Sequence, residues 1–397
     1  MGNLPLNIAI DATPLRGKLS GVGFYTLSLI QALQALQSAE NFQLQVYFQP
    51  SVKHWLTGQW QPDRLLNFVD NPRCLPLPVS LTTPLMGFPN PVLGALEKRL
   101  GKPDIIHGTD HFVFPTRHSA QVMTIHDLTF LLYPDFVPPR VKTYSDRLRA
   151  CLKTTQAVIT FAESTKQDLV KYWQIDPQKI YLTPQASRYP PDYQAPPDLG
   201  ELEKLKKQVQ NSFQQPYFLF VGTLEPRKNL VNLITAFNLF KTTQNSAHQL
   251  ILIGQLGWQY EAILTAIQDS PFRSDIYQLH YLSNALVAWF YQHAEALVYP
   301  SFYEGFGLPL VEAMTLGCPV LTSNRSSLPE VTGDAALLIN PDRPQEITQA
   351  MVQLTGDRPL REHLVQRGLA RAKAFSWEKT ARLTLAVYRE LLKTRTH

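Results

Sequence analysis

The stretch Ser301-Phe-Tyr-Glu-Gly-Phe-Gly-Leu-Pro-Leu-Val-Glu312 carries the strongest structural signal in the chain. It follows the apolar run Ala296–Tyr299 and leads through two glycines into a helical pattern that begins at Pro309. Strand, glycine-containing loop and helix follow one another in this order in doubly wound parallel sheets. Because helical side chains lean toward the amino end of their helix, we expect Glu312 to reach back toward Glu304.

Outward from this stretch, short apolar runs alternate with segments of helical period along nearly the whole chain. The first series of predicted strands is Leu6–Asp11, Leu44–Phe48, Ile105–His107, Val122–His126 and Ala157–Phe161. The second series is Tyr217–Gly222, Leu250–Gly254, Ala296–Tyr299, Pro319–Thr322 and Ala336–Ile339. The main predicted helices are Val22–Leu36, Leu230–Phe240, Asn284–His293, Pro309–Leu316 and Trp377–Leu392. Two series of this kind predict an α/β protein with two parallel-sheet domains.

The proline-rich and charged stretch Gln185–Gln215 is typical of a connection between domains. We therefore predict a first domain over residues 1–190, a linker over 191–213 and a second domain over 214–375. Residues 376–397 repeat apolar side chains with charges between them, which is the pattern of an amphipathic helix that needs a partner surface. We expect this helix to cross back to the first domain.

The composition argues against several classes of protein. The chain has 397 residues, of which 37 are basic and 32 acidic, and the net charge of +5 is too mild for a dedicated nucleic-acid binder. Three widely separated cysteines form no metal-binding or disulfide-exchange pair, which favours a reducing, cytoplasmic location. No apolar run approaches the roughly 20 residues that a membrane-spanning helix needs.

A second constellation, Gly222-Thr-Leu-Glu-Pro-Arg-Lys-Asn229, also lies where a strand ends and a helix begins. Arg227 offers a planar fork of donors and Lys228 a point charge, and together they suit a diphosphate. An exposed basic pair at a turn is the alternative. For Glu304 and Glu312 the alternative is a purely structural role at the amino end of a helix.

In the amino-terminal half, Gly21 and Gly23 precede the first long helix and permit close approach of a phosphate. The third glycine of a dinucleotide-binding fingerprint is missing, because Thr26 stands there. His126 follows a predicted strand, where it could donate a hydrogen bond to a sugar hydroxyl; a histidine satisfied within the fold is the alternative. No metal site is predicted.

Two further segments of the first half predict an irregular loop and a basic helix. Prolines interrupt the stretch Pro72–Pro91, which predicts an irregular loop without regular elements. Arg140–Lys153 holds five basic residues on a predicted helix. That helix would suit anionic lipid or a phosphorylated acceptor, and a solvated helix face is the alternative.

The two glutamates around Gly-Phe-Gly-Leu-Pro, together with Gly222-Thr-Leu-Glu-Pro-Arg-Lys-Asn-Leu230, resemble glycosyltransferase family 4, the retaining GT-B sugar-nucleotide transferases. The similarity extends through Ile125-His-Asp-Leu128 and Ser327-Leu-Pro-Glu-Val331 to Phe375-Ser-Trp-Glu378. It implies two Rossmann-like domains that face a cleft, with the nucleotide sugar on the carboxyl-terminal domain and most of the acceptor site on the other.

The resemblance also implies a role for each site residue. It assigns the diphosphate to Arg227 and Lys228, the ribose to Glu312, and the donor sugar to Glu304 with the backbone amides of Phe306, Gly307 and Leu308. It assigns the transferred sugar to His126 and phosphate contacts to the Gly21–Gly23 loop. One departure is Pro184-Gln-Ala186, which stands where relatives often carry Pro-Asn-Gly.

We therefore predict a retaining, metal-independent glycosyltransferase without a cofactor. It would move mannose or glucose from a nucleoside-diphosphate sugar to a glycan or lipid-linked glycan acceptor. GDP-mannose is the first choice of donor, UDP-glucose the second, and a peripheral membrane contact is allowed. The alternatives are a nucleotide-sugar epimerase or glycan phosphorylase on the same fold, and a catalytically silent sugar-nucleotide-binding protein.

Overall fold

The computed structural model describes residues 5–17, 19–58, 66–82, 91–138, 144–196, 200–211 and 213–393, without the side chains of 91–93. The chain divides into two compact units, each built around one sheet. The first unit comprises Met1–Leu131, Pro139–Gln185 and Ser376–His397. The second unit comprises Leu132–Pro138 and Ala186–Phe375.

The sheet of the first unit has seven parallel strands in the order β3-β2-β1-β4-β5-β6-β7. Its strands are β1 Leu6–Asp11, β2 Phe42–Phe48, β3 Arg73–Cys74, β4 Ile105–Gly108, β5 Ala120–Thr124, β6 Ala157–Thr160 and β7 Ile180–Leu182. The chain winds outward from β1 to β3, then returns to place β4 beside β1. The strand order therefore reverses between β1 and β4, which is where open α/β sheets bind ligands.

The sheet of the second unit has six parallel strands in the order β10-β9-β8-β11-β12-β13. Its strands are β8 Tyr217–Val221, β9 Gln249–Ile253, β10 Ile276–Leu279, β11 Ala296–Tyr299, β12 Val320–Ser323 and β13 Ala336–Ile339. Here the strand order reverses between β8 and β11. Both sheets thus confirm the predicted fold class of two doubly wound, Rossmann-like domains.

Helices follow most of the strands, as parallel connections require. In the first unit they are Gly21–Glu40, Val52–Leu56, Val79–Thr82, Pro91–Arg99, Tyr144–Leu152, Glu163–Trp173 and Trp377–Lys393, and Thr129–Leu132 ends at the boundary between the units. In the second unit they are Gly200–Val209, Leu230–Gln244, Glu261–Gln268, Asn284–His293, Leu308–Thr315, Leu328–Thr332, Pro344–Gly356 and Arg358–Ala372. All five residues of β5 and of β9 are buried, as expected for inner strands of a parallel sheet that is covered on both faces.

The carboxyl-terminal helix Trp377–Lys393 belongs to the first unit, as predicted. Its amphipathic face buries Val387 and Leu391, and Tyr388 forms a hydrogen bond to the ring of His107 at 2.6 Å. Arg382 and Arg389 on the same helix pair with Glu40, at the end of the first long helix. Burial of apolar side chains therefore holds this helix on the first unit, and the exposed ion pairs with Glu40 contribute little to that stability.

The boundaries of the units differ from the predicted domains in two places. Residues 186–190 and the segment Leu132–Pro138 belong to the second unit, although both fall inside the predicted first domain. The segment is held by aromatic contacts: Tyr133 lies 5.7 Å from Tyr303, and Phe136 lies 5.7 Å from Phe302, measured between ring centroids. These are contacts between residues far apart in sequence, so no local pattern predicts them.

Two stretches predicted to be irregular contain regular elements. The expected linker 191–213 includes the helix Gly200–Val209, which buries Leu202 and Leu205. The charged residues of this segment were interpreted as a sign of a linker. In the helix, the acidic residues lie in the first turn and the lysines in the last, which is the arrangement that the helix dipole favours. Within Pro72–Pro91 the structure has the strand β3 and the helix Val79–Thr82, while residues 83–90 lie outside the described residues.

The predicted basic helix is present over Tyr144–Leu152, and residues 140–143 lie outside the described residues. Arg147 lies 4.4 Å from the ring centre of Phe112, and Arg149 lies 5.6 Å from that of Trp173. These two guanidinium groups are therefore engaged with aromatic rings of the fold. Contact of this helix with anionic lipid or a phosphorylated acceptor stays a prediction. In the described part of the chain, no helix is both long enough and apolar enough to cross a membrane.

The hydrogen bond between Tyr388 and His107 allows a direct test of how the carboxyl-terminal helix is held. Replacing Tyr388 with Phe leaves a ring nitrogen of the buried His107 without this partner, which costs about 1–3 kcal/mol. We expect a lower urea midpoint for the first unit, measured by fluorescence. Tyr281→Phe, at a residue that is 62% exposed, is the control. Equal midpoints for the two variants would contradict this account.

Candidate active site

The candidate site of the second unit begins where its strand order reverses. Strands β8 and β11 are parallel neighbours, with Ala296 opposite Phe218 and Leu297 opposite Leu219. The loop after β8 carries the basic pair, and the loop after β11 carries Glu304. The register of the two strands therefore starts both loops side by side at the carboxyl edge of the sheet.

Glu304 forms ion pairs with both members of the basic pair. Its Oε2 lies 2.7 Å from Nη1 of Arg227, and its Oε1 accepts hydrogen bonds from Nζ of Lys228 at 2.6 Å and from Oη of Tyr299 at 3.0 Å. Arg227 also donates from Nη2 to Glu225, at 2.7 Å. We call Arg227, Lys228, Glu225 and Glu304 the ion cluster.

The ion cluster is electrically balanced and almost completely removed from water. Glu225, Lys228 and Glu304 are buried, so the alternative of an exposed basic pair at a turn is wrong. Burial alone would raise the pKa of Glu304, but Arg227 and Lys228 outweigh it and lower the pKa to about 2. Burial and the charge of Arg227 lower the pKa of Lys228, against the opposing effect of Glu304. Glu304 is therefore ionised throughout the physiological pH range.

Backbone contacts fix the loop that bears the cations. The short 3-10 turn Pro226–Lys228 ends at Asn229, whose φ of 61° lies in the left-handed region that asparagine tolerates. The Asn229 side-chain amide donates to the carbonyl of Pro300 at 3.1 Å and to that of Pro341 at 2.6 Å. Arg227 in turn donates to the carbonyl of Tyr303 at 2.7 Å. The two loops are thus joined by backbone contacts as well as by charge.

The glycine-containing loop is held in one conformation. Gly307 has a φ of +105°, and a Cβ there would lie 2.9 Å from Cδ2 of Leu328, so both conformation and space favour glycine. Oγ of Ser327 lies 2.8 Å from the carbonyl oxygen of Glu304 and 2.9 Å from that of Phe306. The next helix starts at Leu308, one residue before the predicted start. That the amides of Phe306, Gly307 and Leu308 meet the donor sugar stays a prediction.

Glu312 has partners of its own. Its Oε1 accepts a hydrogen bond from Nε of Arg188 at 2.6 Å, its Oε2 accepts one from Oη of Tyr291 at 3.3 Å, and its side chain has no exposed surface. The sequence predicted that Glu304 and Glu312 would share one pocket edge. In the structure Glu304 pairs with Arg227 and Lys228, whereas Glu312 pairs with Arg188, which was not recognised from the sequence. That the two carboxylates share a pocket edge stays a prediction.

In the first unit the predicted phosphate loop forms the start of a helix. The helix begins at Gly21, and Ser20 caps it by accepting a hydrogen bond from the amide of Gly23 at 3.3 Å. A Cβ on Gly23 would lie 3.0 Å from the carbonyl oxygen of Pro14, so Gly23 is also required for tight packing. Contact of Gly21 or Gly23 with a phosphate stays a prediction.

His126 lies two residues beyond the end of β5, at the carboxyl edge of the first sheet, as predicted. Its Nε2 lies 2.8 Å from the carbonyl oxygen of Thr109, which can only accept, so Nε2 carries the proton. Burial and the charge of His111 lower the pKa of His126 to about 4, so the ring is neutral at pH 7. In this tautomer Nδ1 of His126 can accept a hydrogen bond from a sugar hydroxyl but cannot donate one. That His126 contacts the transferred sugar stays a prediction.

The other histidines of this edge are engaged within the fold. His107 bonds Tyr388 and Thr124, and His111 bonds Asp110 at 2.9 Å. Among the described residues, no group of three or more His, Cys, Asp or Glu side chains is arranged to hold a metal ion. Asp11, at the end of β1, was not identified from the sequence; burial raises its pKa to about 6.

Comparison with known proteins supplies the family. Residues 19–186 match the family described as Glycosyltransferase Family 4, and residues 202–371 match Glycosyl transferases group 1. O-antigen chain mannosyltransferase B of Escherichia coli is 31% identical over 97% of this chain and 100% of its own length. The chain belongs to glycosyltransferase family 4. The prediction made from its motifs is therefore confirmed, and the enzyme is a glycosyltransferase.

Two further relatives of this family 4 glycosyltransferase extend the comparison. The serotype-specific mannosyltransferase WbdA of Escherichia coli is 28% identical over 69% of this chain, which spans about a third of that longer protein. Sucrose-phosphate synthase of Thermosynechococcus elongatus superposes with a TM-score of 0.72 at 19% identity, covering 98% of this chain and 100% of that one. The structural likeness shows a shared GT-B fold.

Sequence reasoning missed three residues of the site in this family 4 enzyme. Glu225 lies inside the quoted motif, and Tyr299 ends a predicted strand. The sequence therefore gave the positions of both residues, but not their contacts with Arg227 and Glu304. Arg188 lies in the proline-rich stretch that was interpreted as a linker, and its sequence context offered no signal.

The low pKa of Glu304 predicts a pH-dependent contribution to stability. The pKa of the Glu304 carboxyl is 4.5 in the unfolded chain and about 2 in the folded protein. Its ionised form therefore stabilises the folded state fully above pH 4.5, and this contribution is lost as the pH falls toward 2. Glu304→Gln should therefore be less stable than the wild type at pH 7, and the gap should shrink by about 2 kcal/mol by pH 3. Urea unfolding at several pH values measures the gap.

Glu203→Gln is the matched control, because Glu203 pairs with Lys206 on an exposed helix face. Water screens that pair, so its stability gap should stay within about 0.5 kcal/mol at every pH. A gap for Glu304→Gln that did not change with pH would contradict the proposed charge state of the ion cluster.

Proposed function

We propose that this enzyme transfers a hexose, with mannose as first choice, from a nucleoside-diphosphate sugar to a glycan or lipid-linked glycan. The observation that carries the proposal is the ion cluster at the point where the strand order of the second sheet reverses. It supplies two cations on fixed backbone beside an ionised carboxylate, at the edge where such sheets bind nucleotides.

The chemistry of the ion cluster fits donor cleavage. Rupture of the bond between the anomeric carbon and the phosphate oxygen builds negative charge on the diphosphate and positive charge on the sugar. Arg227 and Lys228 would stabilise the departing diphosphate, and Glu304 would stabilise the sugar or bind one of its hydroxyls. Because Glu304 already orients both cations in the free enzyme, little reorganisation would be needed when the donor arrives.

The choice of mannose rests on relatives. Two similar proteins of Escherichia coli are described as mannosyltransferases, and one of them acts on the O-antigen chain. GDP-mannose is therefore the preferred donor, and UDP-glucose is the second candidate. A polysaccharide or its lipid-linked precursor is the corresponding acceptor class, and a peripheral membrane contact would follow from a lipid-linked acceptor.

Retention of the anomeric configuration and independence of divalent metal are part of the proposal. Retention is what the resemblance to the retaining GT-B enzymes implies. Metal independence is likewise what the resemblance implies, and it is supported by Arg227 and Lys228, which offer charged hydrogen-bond donors to the diphosphate.

The diphosphate role of Arg227 predicts a loss of affinity on truncation. Arg227→Ala should bind GDP about 10–100-fold more weakly than the wild type, because a hydrogen bond to a charged group is lost. Isothermal titration calorimetry measures the change. Arg361→Ala is the control, since Arg361 pairs with Glu295 at the opposite end of β11. Equal affinities for the wild type and Arg227→Ala would contradict the diphosphate role.

Transfer itself is tested with GDP-mannose, UDP-glucose and octyl α-mannoside as acceptor. We expect acceptor-dependent release of GDP and a product whose anomeric coupling in NMR reports the α configuration of the donor. Release of nucleotide without an acceptor product would contradict transfer, and conversion of the donor sugar without any acceptor would favour an epimerase. Donor binding without any release would favour a catalytically silent protein.

The metal prediction has its own measurement. Transfer by protein dialysed against EDTA should keep its rate within about twofold, and added magnesium or manganese should not raise it further, since Arg227 and Lys228 would donate charged hydrogen bonds to the leaving group. Loss of transfer on chelation, restored by one of these ions, would show that the protein cations are insufficient.

A further inference from the structure

The segment Leu132–Pro138 lies in the amino-terminal half of the chain but belongs to the second unit. The chain enters the second unit at Leu132 and returns to the first unit after Pro138. Between these points it forms the short 3-10 turn Pro134–Phe136. The rings of Tyr133 and Phe136 stack on one another, with 5.5 Å between their centroids and 13° between their planes. The segment therefore brings a stacked pair of aromatic rings to the second unit.

Both rings of this pair contact the loop that follows β11. Tyr133 packs against Tyr303, and Phe136 packs against Phe302, with 5.7 Å between the ring centroids in each case. The carbonyl of Phe136 also accepts a hydrogen bond from the indole of Trp258, in the loop that follows β9. The segment is thus attached to two loops at the carboxyl edge of the second sheet.

The two aromatic residues of the β11 loop are bonded to Arg227 through their backbone. The amide of Phe302 donates to the carbonyl of Arg227 at 2.9 Å, and Nη1 of Arg227 donates to the carbonyl of Tyr303 at 2.7 Å. Phe302 and Tyr303 therefore hold Arg227 with their backbone and the segment with their rings. A displacement of these rings would also displace the backbone atoms that orient Arg227.

The loop after β9 is also joined to the loop that carries Arg227. The amide of Leu224 donates to the carbonyl of Gln255 at 2.9 Å, and the amide of Gly257 donates to the carbonyl of Leu224 at 3.0 Å. Trp258, whose indole holds the segment, is the next residue after Gly257. Two routes of direct contacts therefore lead from the segment to the Arg227 loop, one through the β11 loop and one through the β9 loop.

The burial of these rings indicates which of them can be changed without unfolding the protein. Tyr303 is buried, whereas Tyr133 and Phe136 are only partly buried. Because the free energy gained from burial grows with the apolar area removed from water, the partly buried rings stabilise the fold less than core side chains do. Aromatic contacts nevertheless have preferred geometries, so these rings can hold their partners in one orientation.

We propose that Tyr133 and Phe136 are positioning residues of the donor site and act through Arg227. Their rings hold Phe302 and Tyr303 so that the Arg227 guanidinium is oriented for a diphosphate before the donor binds. The proposal rests on the proposed function, because it takes Arg227 to meet the diphosphate. It gives residues of the amino-terminal family match, 19–186, a role in nucleotide binding, which the resemblance assigns to the carboxyl-terminal domain.

The test is a double-mutant cycle between Phe136 and Arg227, measured as the affinity for GDP by isothermal titration calorimetry. Phe136→Leu removes the ring and keeps an apolar side chain. It should bind GDP about tenfold more weakly than the wild type, because small displacements of a positioned group are costly. In an Arg227→Ala background, the same substitution should change the affinity by less than about twofold, since the residue through which it acts is gone.

Substitutions of Tyr133 provide a second variant and a rescue. Tyr133→Leu removes the ring that contacts Tyr303 and should also weaken GDP binding, whereas Tyr133→Phe keeps the ring and should bind GDP like the wild type. If Phe136→Leu does not fold, as judged by its urea midpoint, Tyr133→Leu takes its place in the cycle with Arg227→Ala. A purely structural role would lower the urea midpoint without this dependence on Arg227.

Trp289→Leu is the matched control. Trp289 is partly buried, stacks on His293 with 4.2 Å between ring centroids, and lies in the helix that leads to the amino end of β11. The control therefore removes a stacked ring of the same unit, on an element that leads away from the carboxyl edge. Its affinity for GDP should stay within about twofold of that of the wild type.

The remaining outcomes contradict different parts of the account. Equal affinities of the wild type, Phe136→Leu and Tyr133→Leu would overturn the role of the two rings. A loss of the same size in the wild-type and Arg227→Ala backgrounds would overturn their action through Arg227. Both results leave the proposed function intact. Wild-type affinity in Arg227→Ala, or no binding of GDP or UDP by the wild type, overturns the proposed function instead.

Discussion

The salt bridges from Glu304 to Arg227 and Lys228 are the interaction on which the arrangement of the second unit's carboxyl edge depends. They join two loops that are 76 residues apart in sequence, between Lys228 and Glu304, at the ends of neighbouring strands. Each charge is buried and tolerated only because the others are present. Removing one member strands an opposite charge in a nonpolar environment, which typically costs 3–5 kcal/mol in proteins (about 2–4 powers of ten in the folding equilibrium).

The sheet topology explains why this cluster can act on a ligand. The strand order reverses between β8 and β11, and open α/β sheets bind ligands outside the carboxyl ends of the strands at such a reversal. The first unit repeats the pattern between β1 and β4, where Asp11 ends one strand and Thr109 follows the other. His126, one strand further along, donates to Thr109 and is fixed as a neutral acceptor.

Local patterns predicted the fold and much of the site. The strand Ala296–Tyr299 and the helix Asn284–His293 have the predicted bounds, because apolar periodicity and capping residues are encoded locally. The sequence also placed Glu304 and the basic pair where strands end and helices begin, but it did not predict the salt bridges between them. The partner of Glu312 could not be predicted, since Arg188 is 124 residues away in a stretch whose prolines indicated only a linker. The assignment of Leu132–Pro138 to the second unit failed for the same reason.

The central claim is that the ion cluster binds the diphosphate and the sugar of one donor molecule. A crystal structure of the enzyme with GDP-mannose tests it most directly. The account predicts phosphate oxygens within hydrogen-bond distance of Arg227 and Lys228, and a sugar hydroxyl or the anomeric carbon beside Glu304. A diphosphate bound elsewhere, with the salt bridges of Glu304 unchanged and no ligand atom against them, would contradict it.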